Sequence, residues 1–212
     1  MVEWKYTNES LPAIVAGLDL ENSKGQYVWA ICGSGDQAYA IAEFVPRVVA
    51  VDNNKNQLDF AKKRGERIKN GDVNGFLEAS RGTSCFGQDL DRRIEYFDGD
   101  RLRKIGPRTS RVSFVHGDVY ESIADQQFSF SRVYLSNTPA LLNGDFDRKM
   151  DSLISNLPVG ALIYGVVKRK GFHIFHGELK IEKRLTTLAR SLEPAKSKWL
   201  PAWKPSVYRK VE

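Results

Sequence analysis

An α/β fold is predicted from the sequence: a mostly parallel sheet with helices on both faces and an antiparallel hairpin at its C-terminal end. Short apolar runs of strand length alternate with amphipathic helical patterns along the 212 residues, the arrangement that builds parallel sheets through crossover helices. The run Tyr27–Cys32 ends in Gly33-Ser34-Gly35-Asp36, a helical pattern follows, and a second run, Val48–Val51, ends in Asp52. Near the C-terminus the alternation gives way to Lys196–Val211, with Pro201 and Pro205 where a hairpin would bend.

The elements follow in order. Tyr27–Cys32 is the first strand and Val48–Val51 the second, each apolar throughout, as strands buried on both faces are. Gln57–Ile68 is helical, with Leu58, Ala61 and Ile68 on its buried side. Residues 70–110 hold seven scattered glycine and proline positions, among them Gly71, Gly75, Gly82, Gly87 and Pro107, and short amphipathic pieces such as LDRRIEYF. This is far longer than a simple strand-to-helix connection of ~2–6 residues, so an insertion of one or two helices is expected at about 70–110. Alternation resumes with a strand at Val112–Val115, closing at His116-Gly117-Asp118, and another at Ser131–Leu135. Phe146–Leu157 reads as an amphipathic helix, Pro158-Val159-Gly160 as a turn and Ala161–Val167 as a buried strand. Gly177–Leu192 reads as a further helix, with Leu179, Leu185, Leu188 and Leu192 near helical spacing. One domain over 1–212 accommodates all of this.

A hydrophobic fraction of 42% and a charged fraction of 27% are ordinary for a globular protein. No apolar run reaches the ~20 residues of a transmembrane helix, and the first residues lack the basic-then-apolar layout of a signal peptide. Two cysteines, Cys32 and Cys85, do not make a disulfide framework, so a cytoplasmic protein is expected. The net charge of +6 is unevenly placed. Residues 62–111 carry an excess of 5 basic side chains and 168–212 an excess of 8, leaving −7 for the remainder. Two basic segments favour an anionic partner: a phospholipid, RNA or a phosphorylated metabolite. Trp199 and Trp203 in the basic tail could stack on bases, sit at a lipid interface or pack on the sheet edge.

A strand, a glycine turn, a helix and a second strand ending in an acid form a nucleotide-binding half unit. The glycines allow close backbone approach, and a carboxylate at the second strand's end can accept ribose hydroxyls. Asp36 lies where a pyrophosphate would meet the helix, and its charge suits a cationic amine or sulfonium better. Gly33-x-Gly35 with Asp52 resembles the first two motifs of the class I S-adenosylmethionine-dependent methyltransferases. That resemblance implies a Rossmann-like, seven-stranded methyltransferase sheet and S-adenosylmethionine as cofactor. It implies that Gly33, Ser34, Gly35 and Asp36 face the methionine portion and that Asp52 binds the ribose. His116-Gly117-Asp118-Val119 resembles the third motif, with Asp118 on the adenine amino group and the Val119 amide on a ring nitrogen. Ser136-Asn137-Thr138-Pro139 lies where the family places residues between cofactor and acceptor, which adds Ser136 to the expected cofactor-binding residues, and Leu157-Pro158-Val159-Gly160 resembles its Leu-x-Pro-Gly turn.

A closer likeness concerns Cys32–Ala38 together with Val51–Leu58, which resemble the betaine-lipid synthase subgroup; Gly75-Phe76-Leu77 followed by Gly82 is similar too. It adds Asn53 and Gln57 to the expected cofactor-binding residues and implies transfer of the 3-amino-3-carboxypropyl group as the alternative to methyl transfer. A non-catalytic cofactor- or nucleic-acid-binding module is the alternative from another class. The sulfonium is already activated, so positioning and exclusion of water supply most of the rate. Asn137 is the expected residue at the reaction centre, and His116 the expected base for a hydroxyl acceptor. Thr138 and Ala140 depart from the Pro-Pro-aromatic loop of amino-methylating nucleic-acid enzymes. His173 and His176 have no third ligand at a useful spacing, so no metal is expected. Trp4 and Tyr6 are placed to cover the cofactor pocket or to pack in the core.

Overall fold

The computed structural model describes residues 2, 7, 9–78, 96–141, 144–167, 177–193 and 204–212. Trp4, Tyr6, Gly82, Cys85, Gly87, His173, His176, Trp199, Pro201 and Trp203 lie outside the described residues, as do most of LDRRIEYF and the first arm of the expected C-terminal hairpin.

The strands are β1 (Tyr27–Ile31), β2 (Arg47–Asp52), β3 (Val112–His116), β4 (Arg132–Ser136), β5 (Leu162–Val167), β6 (Leu179–Ile181) and β7 (Lys204–Lys210). They form one seven-stranded sheet in the order β3-β2-β1-β4-β5-β7-β6. Neighbours are parallel from β3 through β5, while β7 runs antiparallel to both β5 and β6. The helices are α1 (Leu11–Gly17), α2 (Asp36–Ala42), α3 (Lys55–Lys69), α4 (Val73–Glu78), α5 (Gly99–Ile105), α6 (Phe146–Ser155) and α7 (Lys183–Leu192). Between α3 and β3 the described residues form α4, α5 and a 3-10 segment at Gly106–Arg111. Among the described residues no helix is long and apolar enough to cross a membrane.

Successive strand residues point to opposite faces, and here both faces are covered. Val28, Ala30, Val48, Ala50, Tyr134 and Tyr164 pack into one core with side chains from α1, α2, α3, α5 and α7. Trp29, Val49, Val51, Val133 and Ile163 pack into the other with Met150, Leu153 and Ile154 of α6. This two-sided burial is why the strands read as unbroken apolar runs. Trp29 is fully buried, and its indole N–H donates to the Val119 carbonyl at 2.7 Å, tying the chain beyond β3 to the sheet centre.

Three expectations need correction. The helix expected from Gly177 begins at Lys183, and Leu179–Ile181 is instead the edge strand β6. The buried face of α7 is Leu185, Thr186 and Ala189, whereas Leu188 and Leu192 are exposed. Pro205 is not at a bend; it lies within β7 opposite Val166. The antiparallel pair at this edge is β6 with β7, joined through α7, so its pairing depends on a contact distant in sequence.

Part of the basic excess is used within the fold, chiefly on backbone carbonyls. Arg64 is buried, Arg67 donates to the Gly75 carbonyl, and Arg108 and Arg111 donate to carbonyls of Glu43, Ala42 and Val45. These last three carbonyls close the C-terminal end of α2, where cationic donors are favourable. Near the C-terminus, Arg209 pairs with Glu182, Arg190 donates to the Pro205 carbonyl, and Lys210 donates to the carbonyls of Ile154 and Leu157. Lys62, Lys63, Lys69, Arg103 and Lys104 remain on the surface of α3 and α5.

Candidate functional site

From β1 the chain winds outward through β2 to β3, and from β4 it winds the other way to β5. The carboxyl ends of β1 and β4 are therefore the point where the winding reverses, which in open α/β sheets is where ligands bind. The glycine turn follows β1 and Ser136-Asn137 closes β4, so both expected motifs meet at this crevice.

Gly33 has φ +49° and Gly35 has φ +84°, backbone that L side chains rarely adopt. At Gly35 there is a second constraint, because a Cβ would stand 2.9 Å from the Ala61 Cβ of α3. The turn is tied down at several atoms. The Gly33 N–H donates to Asp52 Oδ2 at 3.1 Å, and the Gly35 N–H donates to the Cys32 carbonyl at 2.9 Å. The Ser34 hydroxyl donates to Asp36 Oδ2 at 2.9 Å. Asp36 itself is fully buried: Oδ1 is 2.7 Å from Arg64 Nη2, and Oδ2 also accepts the Thr7 N–H at 2.8 Å.

Asp52 ends β2, partly exposed, with Oδ1 accepting the Asn54 N–H at 3.0 Å. Its register neighbour is His116, and its carbonyl accepts the Gly117 N–H at 3.1 Å. His116 is exposed, with Nε2 3.0 Å from the Asn53 carbonyl. A carbonyl only accepts, so this contact assigns the proton of the neutral ring to Nε2 and the lone pair to Nδ1. Gln57 is buried on α3. Cys32 is buried below the turn, and burial, reinforced by the Asp52 charge, pushes its thiol well above the usual range.

Beyond β3, Asp118 pairs with Lys149 of α6, and its Oδ1 accepts the Tyr120 N–H at 2.8 Å. Val119 is buried, its carbonyl held by Trp29. The Tyr120 hydroxyl lies 2.8 Å from Thr138 Oγ1, which donates to the Leu135 carbonyl at 2.7 Å. This links the loops after β3 and β4. Ser136 has φ +55°, a strained conformation for a non-glycine residue. Its hydroxyl donates to the Glu9 carboxylate, and Asn137 Oδ1 lies 3.4 Å from the same oxygen.

Gly33, Ser34, Gly35, Asp52, Asn53 and His116 thus stand together along the ends of β1, β2 and β3, and Ser136 with Asn137 stands at the end of β4. The two expected catalytic residues are not brought together. Three strand steps separate β3 from β4, about 14 Å at ~4.8 Å per step, so His116 and Asn137 stand at separate strand ends of the row. Four residues that organise the site carry no motif: Arg64, Lys149, Thr7 and Glu9. Arg64 alone left a signal, since it shares the buried stripe of Leu58, Ala61 and Ile68.

No family model and no curated protein sequence matches the chain. Solved structures do resemble it. The rRNA methyltransferase AviRa from Streptomyces viridochromogenes superposes with a TM-score of 0.55 at 14% identity, over 92% of this chain and 80% of that one. A conserved hypothetical protein from Streptococcus pyogenes gives 0.52 at 12% identity, over 88% of this chain and 86% of its own. An rRNA methylase from Streptococcus thermophilus gives 0.51 at 9% identity, over 93% of both chains. The sheet order, the antiparallel C-terminal edge and these likenesses together show that the chain has the Rossmann-like methyltransferase fold.

Proposed function

We propose that the protein is an S-adenosylmethionine-dependent methyltransferase with an anionic acceptor. The observation that carries this reading is the Gly33–Asp52 contact at the winding reversal, facing the Ser136-Asn137 loop. The residues present fit the cofactor's chemistry: a close-approach glycine turn and, beside it, a partly exposed carboxylate suited to vicinal hydroxyls. When bound, S-adenosylmethionine supplies a sulfonium already activated for transfer.

The chain's own residues then bind and orient. The backbone of Gly33, Ser34 and Gly35 lies along the cofactor, with Asp52, Asn53 and Gln57 on the ribose side and Asp118 with the Val119 amide on the adenine side. Ser136 lines the cofactor at the end of β4, and Asn137 beside it orients the acceptor. The exposed lysines and arginines of α3 and α5 support an anionic acceptor, phospholipid, RNA or phosphorylated metabolite.

Product analysis tests this reading. Protein incubated with S-adenosylmethionine and total RNA, anionic vesicles or a phosphometabolite pool should release S-adenosylhomocysteine with one of them. Release of methylthioadenosine instead would establish aminocarboxypropyl transfer. Cofactor binding with neither product across all three pools would point to a non-catalytic module.

A further inference from the structure

We propose that Arg64 is the positioning residue of the glycine turn, and that its forked guanidinium, rather than its charge alone, fixes the conformation of Ser34 between two left-handed glycines. The inference rests on the cofactor reading only for the identity of the ligand that the turn receives.

Arg64 is 1% exposed on α3, in a buried stripe with Leu58, Ala61, Gly65, Ile68 and one uncharged polar side chain, Gln57. Nη1 donates to the Ser34 carbonyl at 2.8 Å, and Nη2 lies 2.7 Å from Asp36 Oδ1. The guanidinium carbon sits 4.0 Å from the Phe76 ring centroid, so α4 closes over the group and keeps water out. Asp36 completes the grip by accepting the Ser34 hydroxyl. Ser34 is therefore held at its carbonyl by Arg64 and at its hydroxyl by Asp36, while Gly33 is held by Asp52.

This arrangement answers a physical need. Gly33 and Gly35 adopt positive φ, but glycine populates positive and negative φ about equally. Two such residues flanking Ser34 leave the turn free to invert unless something outside it fixes the peptide between them. An apolar pair of similar volume would fill the same space, often at no loss of stability. It could not direct a donor at the Ser34 carbonyl, whereas a rigid planar fork can hold a carboxylate and a carbonyl at once. A lysine keeps the charge and loses the fork. The Asp36 carboxylate also takes the Thr7 N–H, so the same hub ties the segment before α1 to the turn.

Two variants of the full chain separate positioning from packing and charge: Arg64→Lys, and the double variant Asp36→Asn/Arg64→Met, which leaves no buried unpaired carboxylate. Amide hydrogen exchange is followed without ligand, and S-adenosylhomocysteine is titrated by calorimetry. Exchange over residues 33–37 should accelerate at least 10-fold in both variants while β5 exchanges as in the wild type, and the dissociation constant should rise at least 10-fold. Wild-type exchange at 33–37 in either folded variant, or an equal acceleration in β5, would overturn the proposal. A wild-type protein that binds no S-adenosylhomocysteine, with the selective acceleration intact, would support the positioning role and defeat the methyltransferase reading.

Discussion

The backbone N–H of Gly33 donates to Asp52 Oδ2 at 3.1 Å, so the acid that ends β2 also holds the first glycine after β1. The two halves of the candidate ligand site are thereby one unit. A ligand that touched the Asp52 carboxylate would sense the turn, and a change at the turn would move the carboxylate. Ser136 stands across the same crevice, at the end of β4, in strained backbone held by Glu9.

Gly35→Ala is expected to destabilise the protein by roughly 2–4 kcal/mol, combining left-handed backbone for an L residue with overpacking. The added methyl would meet the Ala61 Cβ at 2.9 Å. Chemical denaturation read by circular dichroism measures the loss.

Arg132 anchors the segment between α1 and β1, away from the ligand end. Its guanidinium donates to the Leu18 carbonyl at 2.7 Å, the Ser131 carbonyl at 2.9 Å and the Ser23 hydroxyl at 3.0 Å. Arg132→Met should cost about 3 kcal/mol, since it strands buried acceptors, and leave cofactor affinity within twofold. Denaturation and calorimetry on the same preparation check both halves of the expectation.

Tyr120→Phe removes the hydroxyl that meets Thr138 at 2.8 Å. A net loss of about 1 kcal/mol is expected, typical of one hydrogen bond, with faster exchange at Ser136–Thr138. Unchanged exchange there would show that the loop after β4 is held by Glu9 and the Thr138–Leu135 bond alone.

Cys32 is held as a neutral thiol by burial and by Asp52. Because the thiolate is the reactive form, native protein at pH 8 should leave Cys32 unmodified by N-ethylmaleimide, and unfolding should expose it. Peptide mass spectrometry at that position reads the result.

The fold was legible because β1, β2, β4 and β5 are buried on both faces, and that burial writes unbroken apolar runs into the sequence. Gly33, Gly35 and Asp52 were legible because backbone conformation and strand-end placement restrict residue type locally. The partners of those residues were not. Arg64 meets Asp36 only when α3 packs beside the turn, so its place on the apolar stripe of α3 marks burial without naming its partner. Glu9 meets Ser136, and Lys149 meets Asp118, through contacts that are also distant in sequence. Leu179–Ile181 was misread because three residues cannot declare a period, and the pairing that makes them a strand comes from β7. Charge counts misled for a related reason. They register Arg108, Arg111 and Lys210 as surface charge, whereas these side chains are used on backbone carbonyls.

The most direct test of the central claim is calorimetric titration of the wild-type protein and of Asp52→Ala with S-adenosylmethionine. Binding in the micromolar range by the wild type, weakened at least 10-fold in a folded Asp52→Ala variant, is the expected result. Folded wild-type protein that releases no heat on titration, or an Asp52→Ala variant that binds as the wild type does, would contradict the account.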